Sequence, residues 1–242
     1  MLEVGRLLTE GKGKKVYATA NPDEAVVFFK DEAMAFHGLK RGRILGKGEV
    51  NNAICEHMFR YLAANGIANH YIRPVDARQS LVKRVDMLPV AVKVRNVVAG
   101  TLVRRLNMPL GTKLDPVVLE FVYKGNEDEP LVNSTHIRAM GIATEEEIVE
   151  MKRLSLRVNE LLKALTQEMR VELIDFQLGF GRFHGQLMLA DEITPDVARF
   201  WDANTHEPLD LDLFRRDLGD PAQGYRELLH RMMGLDENGE RV

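Results

Sequence analysis

The sequence predicts an α+β chain, and three stretches carry that prediction. Val171–Phe180 alternates residue types as a half-buried strand does, with Ile174, Phe176, Leu178 and Phe180 on one face and Leu173, Asp175, Gln177 and Gly179 on the other. A turn around Phe183-His184-Gly185 follows, and the chain returns as Gln186–Glu192 to close a hairpin. Thr144-Glu145-Glu146-Glu147 is a capping box. It opens a helix with Ile148, Met151, Leu154, Val158, Leu161, Leu162 and Leu165 on one stripe. A second hairpin lies near the N-terminus, where Val16–Ala20 and Ala25–Lys30 flank the turn signal Asn21-Pro22-Asp23. The length of 242 residues suits one large domain or two small lobes sharing a cleft.

Composition narrows the function classes. With 45% hydrophobic and 29% charged residues, the chain has the make-up of an ordinary globular protein. No apolar run approaches the roughly 20 residues that span a bilayer, so no membrane partner is expected. The first fifteen residues lack the apolar core of a signal peptide. The single cysteine, Cys55, excludes an intramolecular disulfide and fits a cytoplasmic location. No activating cluster surrounds it in the sequence, so it reads as a buried helix position. A net charge of −3 gives no overall attraction to nucleic acid. The basic residues cluster locally, which suits small anionic ligands.

In chain order, Gly11-Lys12-Gly13-Lys14-Lys15-Val16-Tyr17 comes first. Glycines permit close backbone approach to a ligand, and lysines supply point charges for phosphate oxygens. The spacing is not that of a Walker A loop. A Gly-rich segment, Gly42–Gly48, precedes a helix bearing Val50, Ile54, Met58 and Leu62 and stopping at Asn65-Gly66. Val90–Ala99 is a long β-rich run carrying Lys93, Arg95 and Asn96. Val117–Tyr123 is a further strand and Asn126–Pro130 an acidic turn. His136, taken alone, reads as a structural histidine. The last helix carries Tyr225, Leu228, Leu229 and Met232. In the central hairpin, pairing Arg182 with Gln186 places Gln177 opposite Asp191, so that Asp175, Gln177 and Asp191 share one face. A dense ionic run, Asp191-Glu192 to Asp202, follows.

Several of these segments match one family. D-E-I-T-P-D-x-x-R-x-W-D at Asp191–Asp202, preceded by L-I-D-F-x-L-x-F-G at Leu173–Gly181, resembles the signature of SAICAR synthetase (phosphoribosylaminoimidazole-succinocarboxamide synthase) of purine biosynthesis. G-K-x-K-x-V-Y at Gly11–Tyr17, K-D-x-A-x-A-F at Lys30–Phe36 and G-K-G-x-x-N-N at Gly46–Asn52 continue the likeness. So do V-R-N-x-x-A-G-[ST]-L-x-[KR]-R at Val94–Arg105 and D-P-x-V-N-x-x-H-I at Glu129–Ile137, where Glu129 stands for Asp and Ser134 for an acidic residue. The resemblance implies a two-lobed α+β fold with a nucleotide cleft between the lobes. Residues 1–89 would form a β-rich lobe and 90–242 an α+β lobe with the substrate and metal sites. The implied reaction is ATP-dependent ligation of aspartate to the carboxylate of carboxyaminoimidazole ribonucleotide. Lys12 and Lys14, with Lys83, Arg84, Asp86 and Met87 of the hinge, would contact ATP. Arg95, Thr101, Arg105, Asn133, His136, Arg199 and Arg215 would hold the nucleotide substrate. Asp175, Asp191 and Arg199 would serve catalysis, and Asp191 with Glu192 would hold Mg²⁺. The assembly is expected to be a homo-oligomer.

The departures gather on ligand-facing positions. Met34 stands where the family has Thr or Ser, His37 where it has Asn or Asp, and Ala91 where it has Glu. The hairpin's D-F-K-x-E becomes Asp175-Phe176-Gln177-Leu178-Gly179, losing a lysine and a carboxylate. Gly179 is expected to leave open space there, with Mg²⁺ depending on Asp191, aided by Glu192. Two readings compete: a working SAICAR synthetase with unusual side chains, or a diverged paralogue in specialised nucleoside biosynthesis acting on a related nucleotide without aspartate ligation. The retained arginines argue against a third, non-catalytic nucleotide binder.

Overall fold

The computed structural model describes residues 4–235. The chain opens with β1 (Leu7–Glu10), β2 (Lys14–Ala18), β3 (Glu24–Phe29), β4 (Glu32–Ala35) and β5 (Lys40–Arg43). Helix α1 (Lys47–Ala64), β6 (Tyr71–Asp76) and β7 (Gln79–Lys83) follow. Five of these strands form an antiparallel sheet in the order β1-β2-β3-β7-β6, while β4 and β5 pair as a separate hairpin. The β4–β5 hairpin was not anticipated. In α1, Ile54, Met58 and Leu62 are buried as their spacing requires, and the helix ends at Asn65 with Gly66 at φ +81°. Its start lies one turn earlier than the apolar pattern suggests. The reason is tertiary: the buried Asp31 carboxylate accepts the Gly48 N–H at 3.0 Å, capping α1 from the preceding strand region.

The second sheet begins with β8 (Asp86–Val97), α2 (Thr101–Leu106), β9 (Lys113–Tyr123), β10 (Leu131–Val132) and α3 (Ser134–Ala139). It continues through α4 (Glu145–Glu168), β11 (Val171–Phe183), β12 (Gln186–Ala190) and β13 (Ala198–Asp202), then closes with α5 (Asp212–Arg216) and α6 (Pro221–Met233). Its order is β10-β9-β8-β11-β12, with β13 also pairing β11. Strand β11 is the axis of this half. One edge pairs with β8; the other pairs first with β13 and then with β12. Helix α4 opens with the expected capping box, the Glu147 N–H donating to Thr144 Oγ1 at 3.2 Å and the Thr144 N–H to Glu147 Oε2 at 2.9 Å. Arg182 of β11 also binds Glu147, at 2.6 Å. Phe176, Leu178 and Phe180 of β11 share one core with Ile148, Met151, Val158 and Leu162 of α4, with Met58 and Leu62 of α1, and with Val27 and Phe29 of β3. One apolar mass therefore runs beneath both sheets. Among the described residues, no helix is long and apolar enough to cross a membrane.

The hairpin register corrects the sequence reading. The turn is the two-residue His184-Gly185, at φ +49° and +80°, not a three-residue loop. Phe183 therefore pairs with Gln186, Arg182 with Leu187, and Gly179 with Ala190. Strand β12 ends at Ala190, and Asp191 turns away at φ +74°. Gln177 is thus not opposite Asp191, and its neighbour across the ladder is Lys93 of β8.

Candidate active site

Two groups of ionic side chains surround this hairpin. The first lies where the Gly/Lys loop of the first sheet reaches the end of β12. Lys14 donates to Asp191 and, at 3.0 Å, to Glu192. Thr194 fixes Glu192 from the other side at 2.6 Å. Burial alone would lower the pKa of Lys14, but the Asp191 and Glu192 carboxylates outweigh it and hold the ammonium charged. Beside them the fully buried Lys47 donates to Asp196 at 2.5 Å, and the Tyr225 hydroxyl donates to the other oxygen of Asp196 at 2.6 Å. A Cβ at position 13 would stand 2.9 Å from Asp196 Oδ2, so Gly13 lets the loop backbone rest directly on this pair. Lys12 is exposed and pairs with Glu129 at 3.2 Å. Lys83 closes β7 and Asp86 opens β8, with Arg84 between the two sheets donating its N–H to Asp23 O at 2.8 Å. Met87 is exposed beside them.

The second group is an alternating chain of charges across the face of the second sheet. Arg105 donates to Glu120 at 2.6 Å, and Glu120 also accepts from Arg95 at 2.5 Å. Arg95 reaches Asp175 at 3.2 Å, and Asp175 accepts from Arg199 at 2.9 and 3.0 Å. Arg199 continues to Asp212 at 2.9 Å, and Asp212 accepts from Arg215 at 2.6 Å. Asp175, only 1% exposed, is the centre of the chain. It aligns the two inner guanidiniums. The outer two, Arg105 and Arg215, have side chains 38% and 26% exposed, so they keep donors open to solvent. Gly100, at φ +56°, leaves room for the Arg199 guanidinium, which a Cβ there would meet at 2.8 Å; this sets Thr101, the first residue of α2, beside it. Asp210 supports the chain from below by accepting the N–H groups of Phe200 and Asp212 at 2.8 and 2.7 Å. Burial and the adjacent Asp212 push its carboxyl up to about 7.

A family model for SAICAR synthetase matches residues 7–232. The chain belongs to the SAICAR synthetase family. A relative from Brevibacillus brevis, named phosphoribosylaminoimidazole-succinocarboxamide synthase, is 46% identical and covers 96% of this chain and 98% of its own length. One of the same name from Persephonella marina is 44% identical, with 96% and 98% covered. The crystal structure of phosphoribosylaminoimidazole-succinocarboxamide synthase from Ehrlichia chaffeensis superimposes with a TM-score of 0.92 at 37% identity, covering 96% of this chain and 100% of that one. A SAICAR synthetase in complex with ADP gives 0.91 at 40% identity, with 95% and 98% covered. These relatives share one name, which favours a SAICAR synthetase with unusual side chains over a diverged paralogue.

Against this family background the departures can be placed. Gly179 and Ala91, the two positions where the family carries a glutamate, are direct cross-strand partners on β11 and β8. The space expected at Gly179 is not open. A Cβ there would stand 2.5 Å from Asp191 Cβ and 3.0 Å from its Oδ2, because Asp191 folds over the glycine. Gly179→Ala is therefore expected to destabilise the fold by about 1–3 kcal/mol, as overpacking does. Urea denaturation measures this, and an unchanged midpoint would show that Asp191 moves aside freely. A glutamate at 179, as the SAICAR synthetase hairpin pattern has it, would likewise require Asp191 to shift from its present position over the glycine.

Asn133 and His136 have a local role. The His136 N–H donates to Asn133 Oδ1 at 3.1 Å and the Asn133 N–H to His136 Nδ1 at 3.2 Å, a reciprocal cap at the start of α3. Sequence reasoning missed Glu120, Asp212, Lys47, Asp196 and Tyr225. The Asp212/Arg215 spacing of three was a usable helix-face signal. Nothing local marked Glu120; Lys47 and Asp196 each lie in a family motif, but nothing in the sequence paired them, since they lie far apart.

Proposed function

We propose that this chain catalyses the ATP-dependent ligation of aspartate to the carboxylate of carboxyaminoimidazole ribonucleotide. ATP phosphorylates that carboxylate, and the aspartate amine displaces phosphate from the acyl phosphate. The supporting observation is that the lysine loop of the first sheet and the guanidinium chain of the second meet at one hairpin, with Lys14 on Glu192 at 3.0 Å and Arg199 on Asp175 at 2.9 Å. In this reading residues 1–89 supply the nucleotide loop, with Lys12, Lys14 and the Lys83–Met87 hinge toward ATP. Residues 90–242 supply the substrate face. Arg105 and Arg215 meet the phosphate and carboxylate of the nucleotide directly, while Asp175 keeps Arg95 and Arg199 oriented; Thr101 adds a hydroxyl, and Asn133 and His136 border the site. Such a site works mainly by positioning and neutralising charge.

Among the described residues, no group of three or more His, Cys, Asp or Glu side chains is placed to hold a metal ion. The two hard carboxylates Asp191 and Glu192 converge on one cation, the Lys14 ammonium, and Mg²⁺ takes one or two carboxylates beside nucleotide phosphates. These two residues would hold it, and the ion would neutralise phosphate charge there. Lys14 neutralises the two carboxylates themselves. The reading also carries a cytoplasmic location and a homo-oligomeric assembly.

Incubating the protein with MgATP, carboxyaminoimidazole ribonucleotide and aspartate, with products followed by mass spectrometry, tests the proposal. The succinocarboxamide and stoichiometric ADP are expected. ATP turnover on another imidazole or purine nucleotide, with none of that product, would sink it.

A further inference from the structure

Among the described residues of the substrate face, Lys93 is a charged group that the fold leaves poorly matched. Its side chain is 21% exposed, so most of it is removed from water. Among the described residues its ammonium makes no hydrogen bond, and its single carboxylate neighbour within 4 Å is Asp175, at 3.9 Å. Asp175 is already shared by Arg95 and Arg199. Glu120, which faces Lys93 from β9, is held by Arg95 and Arg105. On the other flank stands the neutral Gln177 of β11. The next row of the same face, Ala91 with Gly179, carries no acceptor of its own, and the Asp191 carboxylate folded over Gly179 is already held by Lys14. A largely buried ammonium with three unused donors costs free energy unless an acceptor meets it.

We propose that Lys93 is a specificity-determining residue that grips an anionic oxygen group, carboxylate or phosphate, on the nucleotide that reacts with ATP. This rests on the ligase reading above. The geometry gives a reason for the departure at position 177. The family pattern D-F-K-x-E would put a lysine there, and Lys93 stands directly across the ladder from Gln177. The positive charge of the face thus comes from β8 instead of β11. Burial, with Arg199, Arg95 and Arg215 nearby, brings Lys93 down to about 8, while Asp175 partly opposes the shift. An anion supplies the missing stabilisation of the charged form. Affinity is then full below that value and declines as pH rises through it.

The test is titration calorimetry with three probes: carboxyaminoimidazole ribonucleotide, inorganic phosphate and ADP. Each is titrated into the unaltered protein, Lys93→Met and Lys93→Arg between pH 7 and 9.5. The imidazole nucleotide is expected to bind Lys93→Met about tenfold or more weakly, a loss typical of one charge-assisted contact. ADP should be unaffected, which also verifies the fold. Unaltered protein should lose affinity for the imidazole nucleotide across pH 8, whereas Lys93→Arg should not, because guanidinium stays charged. Equal binding by all three proteins, or a flat pH profile in unaltered protein, would overturn the proposal. If unaltered protein ignores the imidazole nucleotide but binds phosphate in a Lys93-dependent manner, Lys93 keeps its role and the substrate reading fails. If neither probe depends on Lys93, the proposal fails. If Lys93→Met does not fold, Lys93→Gln takes its place in the same titrations.

Discussion

Asp175→Ala is expected to lower stability by about 3–5 kcal/mol, the range for removing one partner of a buried ion pair. The loss arises because Arg95 and Arg199 remain buried with their shared carboxylate gone. Each keeps one other hydrogen-bonded acid, Glu120 and Asp212 respectively. The chain of alternating charges then breaks in the middle, and its two halves repel. Urea denaturation gives the value directly. Combining Asp175→Ala with Arg199→Met should cost less than the sum of the single changes, since the second change removes one of the stranded charges. A loss below roughly 1 kcal/mol would mean that water reaches the pair and that Asp175 does not organise the face.

The second large effect is expected from Lys47→Met, at about 3 kcal/mol. Methionine keeps much of the volume but leaves Asp196 with only the Tyr225 hydroxyl. Because Gly13 rests on Asp196, the change should also weaken ADP binding through the loop, although Lys47 lies beneath it. Calorimetry with ADP alongside a denaturation curve separates the two consequences. A stability loss with ADP affinity untouched would confine the pair to scaffolding.

Regular periodicity made much of this fold legible. The stripe of α4 from Ile148 to Leu165, the alternation along β11 and the 50–62 face of α1 all lie where their patterns put them. Short elements such as β10, α3 and α5 carry too few residues for a period, so they escaped. The hairpin register failed for a narrower reason. Gly185 suits a left-handed position in either a two- or a three-residue turn, and His184 at φ +49° is a choice that only the packed strands decide. In the site, the arginines were legible because the family motifs hold them. Their shared partner Asp175 was legible for the same reason, but Glu120 and Asp212 were not, because they reach the chain from separate elements and no local spacing links them to Arg95 or Arg199.

The single apolar core beneath both sheets bears on how ligands arrive. A swing of one sheet away from the other would pull Met58 and Leu62 of α1 out of contact with neighbours on both sides, and would open hydrocarbon surface to water. Hinge opening of that kind is therefore an expensive route of entry. Traffic through the cleft falls instead to small peripheral parts: the 11–13 loop, whose glycines bend without such exposure, and the β4–β5 hairpin tip, where Phe36 and Leu39 already lie in solvent.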